Sequence, residues 1–205
     1  MSETIVHVVD DEAAIRESLV MLLESSGHAA RAHSDAAGFL AALDPDQPGC
    51  VVADVRMPGM SGLELQAHLK ASRIDLPVII ITGHGDVAMA VQALKDGASD
   101  FIEKPFDEDV LLRAVGHALD KGHRAFRERQ ALADIEARAA ELTPREREVM
   151  DLVVQGLPNK AVAAELNISV RTVEIHRARV MEKMAAKSLS ELVRMALRLE
   201  EVEPA

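Results

Sequence analysis

The chain has 205 residues, of which 48% are hydrophobic and 28% charged, so it can fold into one large domain or two small ones. Four Phe and no Trp or Tyr argue against an aromatic sugar-binding platform or a surface that stacks nucleic-acid bases. The single cysteine, Cys50, excludes an internal disulfide and a thiolate zinc site. No apolar run reaches the roughly 18 residues of a membrane helix, and no signal-peptide pattern opens the chain. We therefore expect a cytoplasmic protein with no membrane partner.

The net charge of −11 is distributed unevenly along the chain. Residues 1–122 contain nine Lys and Arg against twenty Asp and Glu, whereas residues 123–205 contain fourteen of each. Net charge bears on partners rather than on fold, so this asymmetry favours two domains with different partners. We predict a first domain over residues 1–121, a helical linker over 122–140 and a second domain over 141–205.

The first domain alternates short apolar runs with amphipathic stretches. The predicted strands are Thr4–Val9, His28–His33, Cys50–Val55, Val78–Thr82 and Asp100–Glu103. The predicted helices are Glu12–Ser25, a short helix ending near Leu43, Leu63–Ser72, Val87–Asp96 and Asp107–Asp120. Five such units predict a doubly wound α/β fold, in which helices cover both faces of a five-stranded parallel sheet.

The second half contains no strand pattern. Residues 121–142 are rich in Ala, Arg, Glu and Leu, which favours a helical linker. Two of the helices beyond it begin with the S/T-x-x-E pattern of a capping box, at Thr143 and at Ser188. We predict an all-α domain with four helices, namely Thr143–Gly156, Asn159–Asn167, Ser169–Met184 and Ser188–Leu199.

Polar side chains lie at the ends of four predicted strands: Asp10 and Asp11, Asp54, Thr82 and Lys104. Ligands of open α/β sheets bind beyond the carboxyl ends of the strands, so we expect these side chains to form one site. Three carboxylates provide hard oxygen ligands suited to Mg²⁺ or Mn²⁺. Taken alone, the two adjacent aspartates are as consistent with a solvated loop as with a binding site. The polar residues at the other strand ends favour the binding site.

The motifs HVVDDE, DVRMPGMSG, IITGHGD and DFIEKPF resemble, in this order and spacing, the receiver domain of two-component response regulators over about residues 3–121. The resemblance implies that Asp54 is the phosphoacceptor of a sensor histidine kinase. It implies that Asp10, Asp11, Asp54 and the backbone carbonyl of Arg56 hold the Mg²⁺ ion. In this family, Arg56 and His84 occupy variable positions that affect the lifetime of the phosphoryl group.

The same resemblance assigns the residues that respond to the phosphoryl group. Thr82 and Lys104 resemble the switch residues that contact it, and Phe101 resembles the switch aromatic, although a simple core role for Phe101 stays open. The peptide bond before Pro105 resembles a cis bond of the family, an isomer that is accessible mainly before proline.

The helices Asn159–Asn167 and Ser169–Met184 have the proportions of a helix-turn-helix. Val173, Val180 and Met184 form an apolar stripe that we expect to face inward. Residues 159–184 carry five Lys and Arg against three Glu, an excess too small to distinguish a DNA-binding domain from a helical docking module.

The stretch LTPREREVM, the stretch SVRTVEIHRARVMEKM and the following SLSELVRMAL resemble the LuxR/GerE-type DNA-binding domain over about residues 141–199. This resemblance implies that helix 169–184 enters the major groove. The implied base-facing residues are Arg171, Glu174, Ile175 and Ala178. The residues implied to lie near phosphates are Asn159, Lys160, Thr172, His176, Arg177, Arg179 and Lys183.

Together the two domains resemble response regulators of the FixJ type, transcription regulators linked to nitrogen fixation. The implied partners are a sensor histidine kinase, double-stranded DNA, RNA polymerase and a second copy of the chain. The implied dimer forms on phosphorylation through helix 87–96, strand 100–103 and helix 107–120.

Two alternatives stay open. One is an aspartate-nucleophile phosphatase, which usually has a second acid where this chain has Arg56; the other is a regulator controlled by protein partners alone.

Overall fold

A computed structural model describes residues 4–83 and 87–200 of the chain. The described residues form two compact units, of which the first ends at Arg127 and the second begins at Glu128. No helix in these two ranges is long and apolar enough to cross a membrane.

A five-stranded parallel sheet forms the first unit, as the alternating pattern predicts. Its strands are β1 (Ile5–Val9), β2 (Ala29–His33), β3 (Gly49–Asp54), β4 (Val78–Thr82) and β5 (Asp100–Glu103). Their order across the sheet is β2-β1-β3-β4-β5, and every neighbouring pair is parallel. The helices of this unit are α1 (Ala13–Ser25), α2 (Ala36–Ala42), α3 (Gly62–Ala71), α4 (Val87–Asp96) and the first part of α5 (Glu108–Ala140).

The core lies on both faces of the sheet, because successive residues of a strand point to opposite sides. Val52 and Ile79 pack among residues of α1 and α5 on one face. Val51 and Ile80 pack among residues of α2, α3 and α4 on the other face. Strands covered on both sides have no polar face, which explains their nearly continuous apolar sequence.

Helix α5 is longer than the sequence predicts. The expected end at Asp120 and the separate linker are replaced by one helix that continues to Ala140. Residues 121–140 contain no Pro and a single Gly, and their Ala, Leu, Arg and Glu side chains are strong helix formers, so nothing ends the helix. Its middle packs on the first unit: the Thr4 hydroxyl lies 2.7 Å from His123 Nε2, and Gly122 is buried.

The second unit consists of the end of α5 with α6 (Pro144–Val154), α7 (Asn159–Glu165), α8 (Val170–Lys183) and α9 (Leu189–Glu200). The four predicted helices are present, and their predicted bounds include flanking residues such as Thr143, the N-cap of α6. Ile135 and Ala139, which the sequence places in the linker, are buried in the core of this unit.

The two predicted capping boxes differ in outcome. At Thr143 both reciprocal hydrogen bonds with Glu146 are present. At Ser188 the hydroxyl accepts from the Glu191 amide, but the Glu191 carboxylate accepts from the Lys187 amide instead of the Ser188 amide. The second box is therefore only half formed.

We expect two glycines of α5 to respond oppositely to the same substitution. A Cβ at Gly122 would collide with the backbone carbonyl of Gly49, whereas a Cβ at Gly116 would meet no atom. Gly116→Ala should raise the free energy of unfolding by about 1 kcal/mol through helix propensity. Gly122→Ala should lower it by about 1–3 kcal/mol through overpacking. Chemical denaturation of both variants measures the difference, and a stabilised Gly122→Ala variant would contradict this packing.

Candidate functional site

The predicted polar side chains of β1, β3 and β4 meet at the carboxyl edge of the sheet. Asp10 and Thr82 are almost fully buried, and Asp54 is 8% exposed. The strand order explains their proximity, because β1, β3 and β4 are consecutive neighbours. The order also reverses at β1 and β3, the position at which doubly wound sheets open a crevice for ligands.

Lys104 connects two of these acids. Its ammonium nitrogen lies 2.9 Å from Asp10 Oδ2 and 2.7 Å from Asp54 Oδ1. Burial acts to lower the pKa of Lys104, but the hydrogen bonds and charges of Asp54 and Asp10 outweigh it, so the pKa is raised from 10.5. Lys104 is therefore a permanent cation that faces both carboxylates.

Backbone amides fix the orientation of both carboxylates. Asp54 Oδ2 accepts a hydrogen bond of 2.7 Å from the Arg56 amide, and Asp10 Oδ1 accepts one of 2.8 Å from the Glu12 amide. Each bond spans two residues, the local geometry that Asp favours in turns. The second oxygen of each carboxylate faces Lys104.

Three supporting contacts at this edge were not predicted. Arg16 of α1 donates a hydrogen bond of 2.6 Å to the Asp10 carbonyl, a contact with no sequence signal. A Cβ at Gly62 would collide with the Asp54 carbonyl, so only glycine lets α3 begin this close to Asp54. A capping box between Ser61 and Glu64 fixes the start of α3, and its S-x-x-E signature was available in the sequence.

The acids differ in how well they fit a metal ion. Asp10 and Asp54 face one common position, and their oxygens are hard ligands of the kind that Mg²⁺ binds together with water. The Asp11 side chain is exposed. Among residues 4–83 and 87–200, no three His, Cys, Asp or Glu side chains are grouped closely enough to hold a metal ion. The two buried acids therefore fit the ion, and the structure does not bring Asp11 to them.

The remaining predicted residues of this site lie around the edge. The side chain of Phe101 is half-buried against the core, and Arg56 is exposed. The bond between Lys104 and Pro105 is cis. His84 lies outside the described residues.

Helix α8 presents two different faces. Its N-cap residue Ser169 accepts a hydrogen bond from the Thr172 amide. Val173 and Val180 are buried, and so is Met184 just beyond the helix, as the apolar stripe predicts. The side chains implied to face bases are all exposed, namely Arg171, Glu174, Ile175 and Ala178. The outer face of α8 is thus available to a partner.

Several residues implied to lie near phosphates already have partners within the second unit. Arg177 donates to Asn159 Oδ1 at 2.9 Å, which ties α8 to α7. The Thr172 hydroxyl lies 2.8 Å from the Ser169 hydroxyl. His176 Nδ1 is buried without a hydrogen-bond partner in the described ranges. In contrast, Lys160 and Arg179 are exposed.

Lys183 forms an ion pair with a buried carboxylate. Its ammonium nitrogen lies 2.7 Å from Glu146 Oε2 and 3.0 Å from the Glu141 carbonyl. Glu146 is only 2% exposed. The hydrogen bonds from Lys183 and from the Thr143 amide lower the pKa of Glu146 from 4.5 to about 2. This pair joins the start of α6 to the end of α8.

Comparison with known proteins identifies both units. Residues 6–116 match the response regulator receiver domain, and residues 140–196 match the bacterial regulatory proteins of the luxR family. The transcriptional regulatory protein FixJ of Azorhizobium caulinodans is 53% identical over 192 residues, which cover 94% of this chain and 91% of that protein. This chain belongs to the FixJ-type response regulators.

Further relatives agree with this membership. FixJ of Bradyrhizobium diazoefficiens is 50% identical over 193 residues, 94% of each chain. The low-resolution structure of the response regulator StyR has a TM-score of 0.85 at 41% identity and covers 96% of this chain and 100% of that one. Full-length FixJ from B. japonicum has a TM-score of 0.56 at 46% identity, with coverage of 99% and 100%.

Family membership excludes one of the two alternatives that the sequence left open. FixJ-type proteins are transcription regulators and not enzymes, so the phosphatase alternative is wrong. A receiver domain implies a sensor kinase as partner, and a luxR-type domain implies DNA binding. Receiver domains generally bind Mg²⁺ at the phosphorylation site.

We expect the Glu146 ion pair to make the stability of the second unit depend on pH. In the unfolded chain Glu146 titrates near 4.5, and in the folded chain near 2. The unfolded state therefore takes up the proton first, and stability that is present above pH 4.5 is lost as the pH falls toward 2. Glu146→Gln should lower the free energy of unfolding at pH 7 by about 1–3 kcal/mol and should flatten this pH dependence.

Glu148→Gln is the matched control, because Glu148 pairs with Arg145 on the exposed side of the same helix. An exposed pair contributes less than about 1 kcal/mol. Chemical denaturation at pH 7 and pH 3, followed by helical circular dichroism, compares the two variants. Equal losses of unfolding free energy in the two variants would show that the buried pair stabilises the unit no more than the exposed pair does.

Proposed function

We propose that Asp54 accepts a phosphoryl group from the phosphohistidine of a sensor kinase, and that this modification switches DNA binding by the second unit. The environment of the Asp54 carboxylate carries the proposal. It is fixed by the Arg56 amide, it faces the Lys104 cation, and it lies at the edge of the sheet with 8% of its surface exposed. A carboxylate held in this way can act as a nucleophile toward phosphorus.

The transfer forms a bond between an Asp54 oxygen and phosphorus while the bond from phosphorus to the donor imidazole nitrogen breaks. The leaving nitrogen keeps the bonding electrons. Such transfers depend mainly on positioning and on neutralisation of charge. Lys104 supplies a cation within 2.7 Å of the nucleophile. A Mg²⁺ ion held by Asp10, Asp54 and the Arg56 carbonyl, with the exposed Asp11 side chain turned toward them, would neutralise further negative charge.

Phosphorylation changes the charge balance at the edge of the sheet. The phosphoryl group carries up to about two negative charges, whereas the carboxylate that it modifies carried one, so the edge beside the buried Asp10 becomes more negative. In the proposed switch, Lys104 and the Thr82 hydroxyl bond to the phosphoryl oxygens and draw the ends of β4 and β5 with them. The half-buried ring of Phe101, within β5, then changes its packing.

The outer face of α4 supports a dimer of the phosphorylated protein. Val87, Val91 and Leu94 are 83%, 45% and 48% exposed. Their spacing of four and three residues places them on one side of the helix, and a group of exposed apolar side chains is typical of an interaction surface. We assign this surface, with β5 and the start of α5, to a second copy of the chain.

Dimerisation would bring two α8 helices to one DNA site. In helix-turn-helix dimers the two recognition helices contact half-sites about one helical turn apart. The dimer on a promoter would then be positioned to contact RNA polymerase in the cytoplasm.

Replacing Asp54 tests the phosphoacceptor directly. After incubation with a small-molecule acyl phosphate and Mg²⁺, intact-mass spectrometry should detect one added phosphoryl group on the wild type and none on Asp54→Asn, because an amide is a much weaker nucleophile. Asp75→Asn changes an exposed aspartate of the same unit and should be modified like the wild type. Modification of Asp54→Asn at the wild-type level would refute the assignment.

A charge on α4 should separate phosphorylation from dimerisation. Leu94→Asp places a carboxylate in the proposed interface, where two copies would bury it against its counterpart. We expect normal phosphoryl incorporation but a sedimentation coefficient that stays at the monomer value. Met21→Asp, which alters an exposed apolar residue of α1, should dimerise normally. Dimerisation of both variants would exclude α4 from the interface.

A further inference from the structure

Asp10 forms a hydrogen bond with each of its four polar groups, and one of these bonds comes from Arg16 of α1. Asp10 is fully buried. Its amide donates to the His33 carbonyl at 3.2 Å, and its two carboxylate oxygens accept from the Glu12 amide and the Lys104 ammonium group. Its carbonyl accepts a bond of 2.6 Å from Arg16 Nη1. Of these four partners, two are backbone groups and one is the lysine of the site, which leaves Arg16 as a side chain that holds Asp10 from outside.

Arg16 also contacts the residue on the other side of Asp11. Its amide donates to the Glu12 carbonyl at 3.0 Å, while its side chain bonds to the Asp10 carbonyl. The backbone is therefore held on both sides of Asp11, whose side chain is exposed. A backbone that is already fixed leaves only the side-chain torsions of Asp11 to be ordered when a metal ion binds, which lowers the entropic cost of binding.

Groups that orient metal ligands without touching the ion have a strong effect on metal affinity. Loss of such a partner typically weakens binding by about 10- to 100-fold. The half-buried guanidinium group of Arg16 is suited to this role, because its planar donors bond in fixed directions. Without it, the carbonyl of the buried Asp10 would lose this partner and the turn after β1 would lose a restraint.

We propose that Arg16 is a positioning residue of the Mg²⁺ site, which raises the affinity for the ion by holding the backbone of Asp10 and of the turn that carries Asp11. The inference rests on the proposed function, in which these acids hold Mg²⁺ during phosphoryl transfer. The charge of Arg16 alone would have the opposite effect. A bystander cation repels Mg²⁺, so its removal would tighten binding, whereas removal of a positioning residue weakens it.

Titration of the full-length protein with MgCl₂, followed by the amide chemical shifts and without a phosphodonor, tests this inference. Arg16→Met keeps the apolar stem but has no donor, and it should weaken Mg²⁺ binding by about 10-fold. Arg16→Lys keeps a cation and a donor and should recover part of the wild-type affinity. Arg16→Gln, with a shorter and neutral side chain, should show the same loss as Arg16→Met and replaces it in the comparison if that variant does not fold.

The dependence of phosphorylation on Mg²⁺ provides a second readout. With an acyl phosphate as donor, the Mg²⁺ concentration that gives half the maximal rate should rise in Arg16→Met by the same factor of about 10. The rate at saturating Mg²⁺ should stay at the wild-type value, because Arg16 bonds to the backbone and not to the nucleophile. A purely structural role would lower the free energy of unfolding but would leave both Mg²⁺ readouts unchanged.

Arg113→Gln is the matched control, since Arg113 is an exposed arginine on another helix of the same unit, and it should bind Mg²⁺ like the wild type. Unchanged or tighter Mg²⁺ binding by Arg16→Met and Arg16→Gln would overturn the inference and leave the proposed function intact. A wild-type protein that binds no Mg²⁺ would overturn the proposed Mg²⁺ site as well. The two failures are therefore distinguishable.

Discussion

The Lys104 ammonium ion lies within 2.9 Å of Asp10 and 2.7 Å of Asp54, and the other polar groups at the carboxyl edge of the sheet depend on this arrangement. Two carboxylates at a buried edge repel each other, and the opposite charge of Lys104 beside both of them offsets that repulsion. The strand order places their β-strands side by side, and backbone amides aim both carboxylates at the lysine. In the proposed function, a phosphoryl group on Asp54 would therefore change the partners of Lys104.

In the second unit, too, a lysine pairs with a buried carboxylate. There, the cation Lys183 is held by the buried Glu146, and this ion pair joins the end of α8 to the start of α6. Arg171 and Arg179 are exposed on α8 and are cations of the kind that contact DNA phosphates. In the proposed function, dimerisation would place two such units on one DNA site and so connect DNA binding to the state of Asp54.

Much of this organisation follows from the sequence because it depends on local patterns. Asp10, Asp54 and Thr82 could be assigned to one edge, since the carboxyl ends of parallel strands meet there. Contacts between distant segments could not be predicted in this way. The close approach of Gly122 to the Gly49 carbonyl holds the residues beyond Asp120 against the first unit. Ile135 is buried in the second unit by residues that follow it. Helical propensity predicted a helical linker. Propensity alone could not show that the first part of this helix packs on the first unit and its end on the second.

The central claim is that phosphorylation of the first unit controls DNA binding by the second. Its most direct test is recovery of genomic DNA fragments on the purified full-length protein, with and without an acyl phosphate and Mg²⁺. The account predicts that a small set of promoter fragments is enriched only with the phosphodonor, and that Asp54→Asn recovers none of them. Equal enrichment of the same fragments in both conditions would contradict it and would favour a regulator controlled by protein partners.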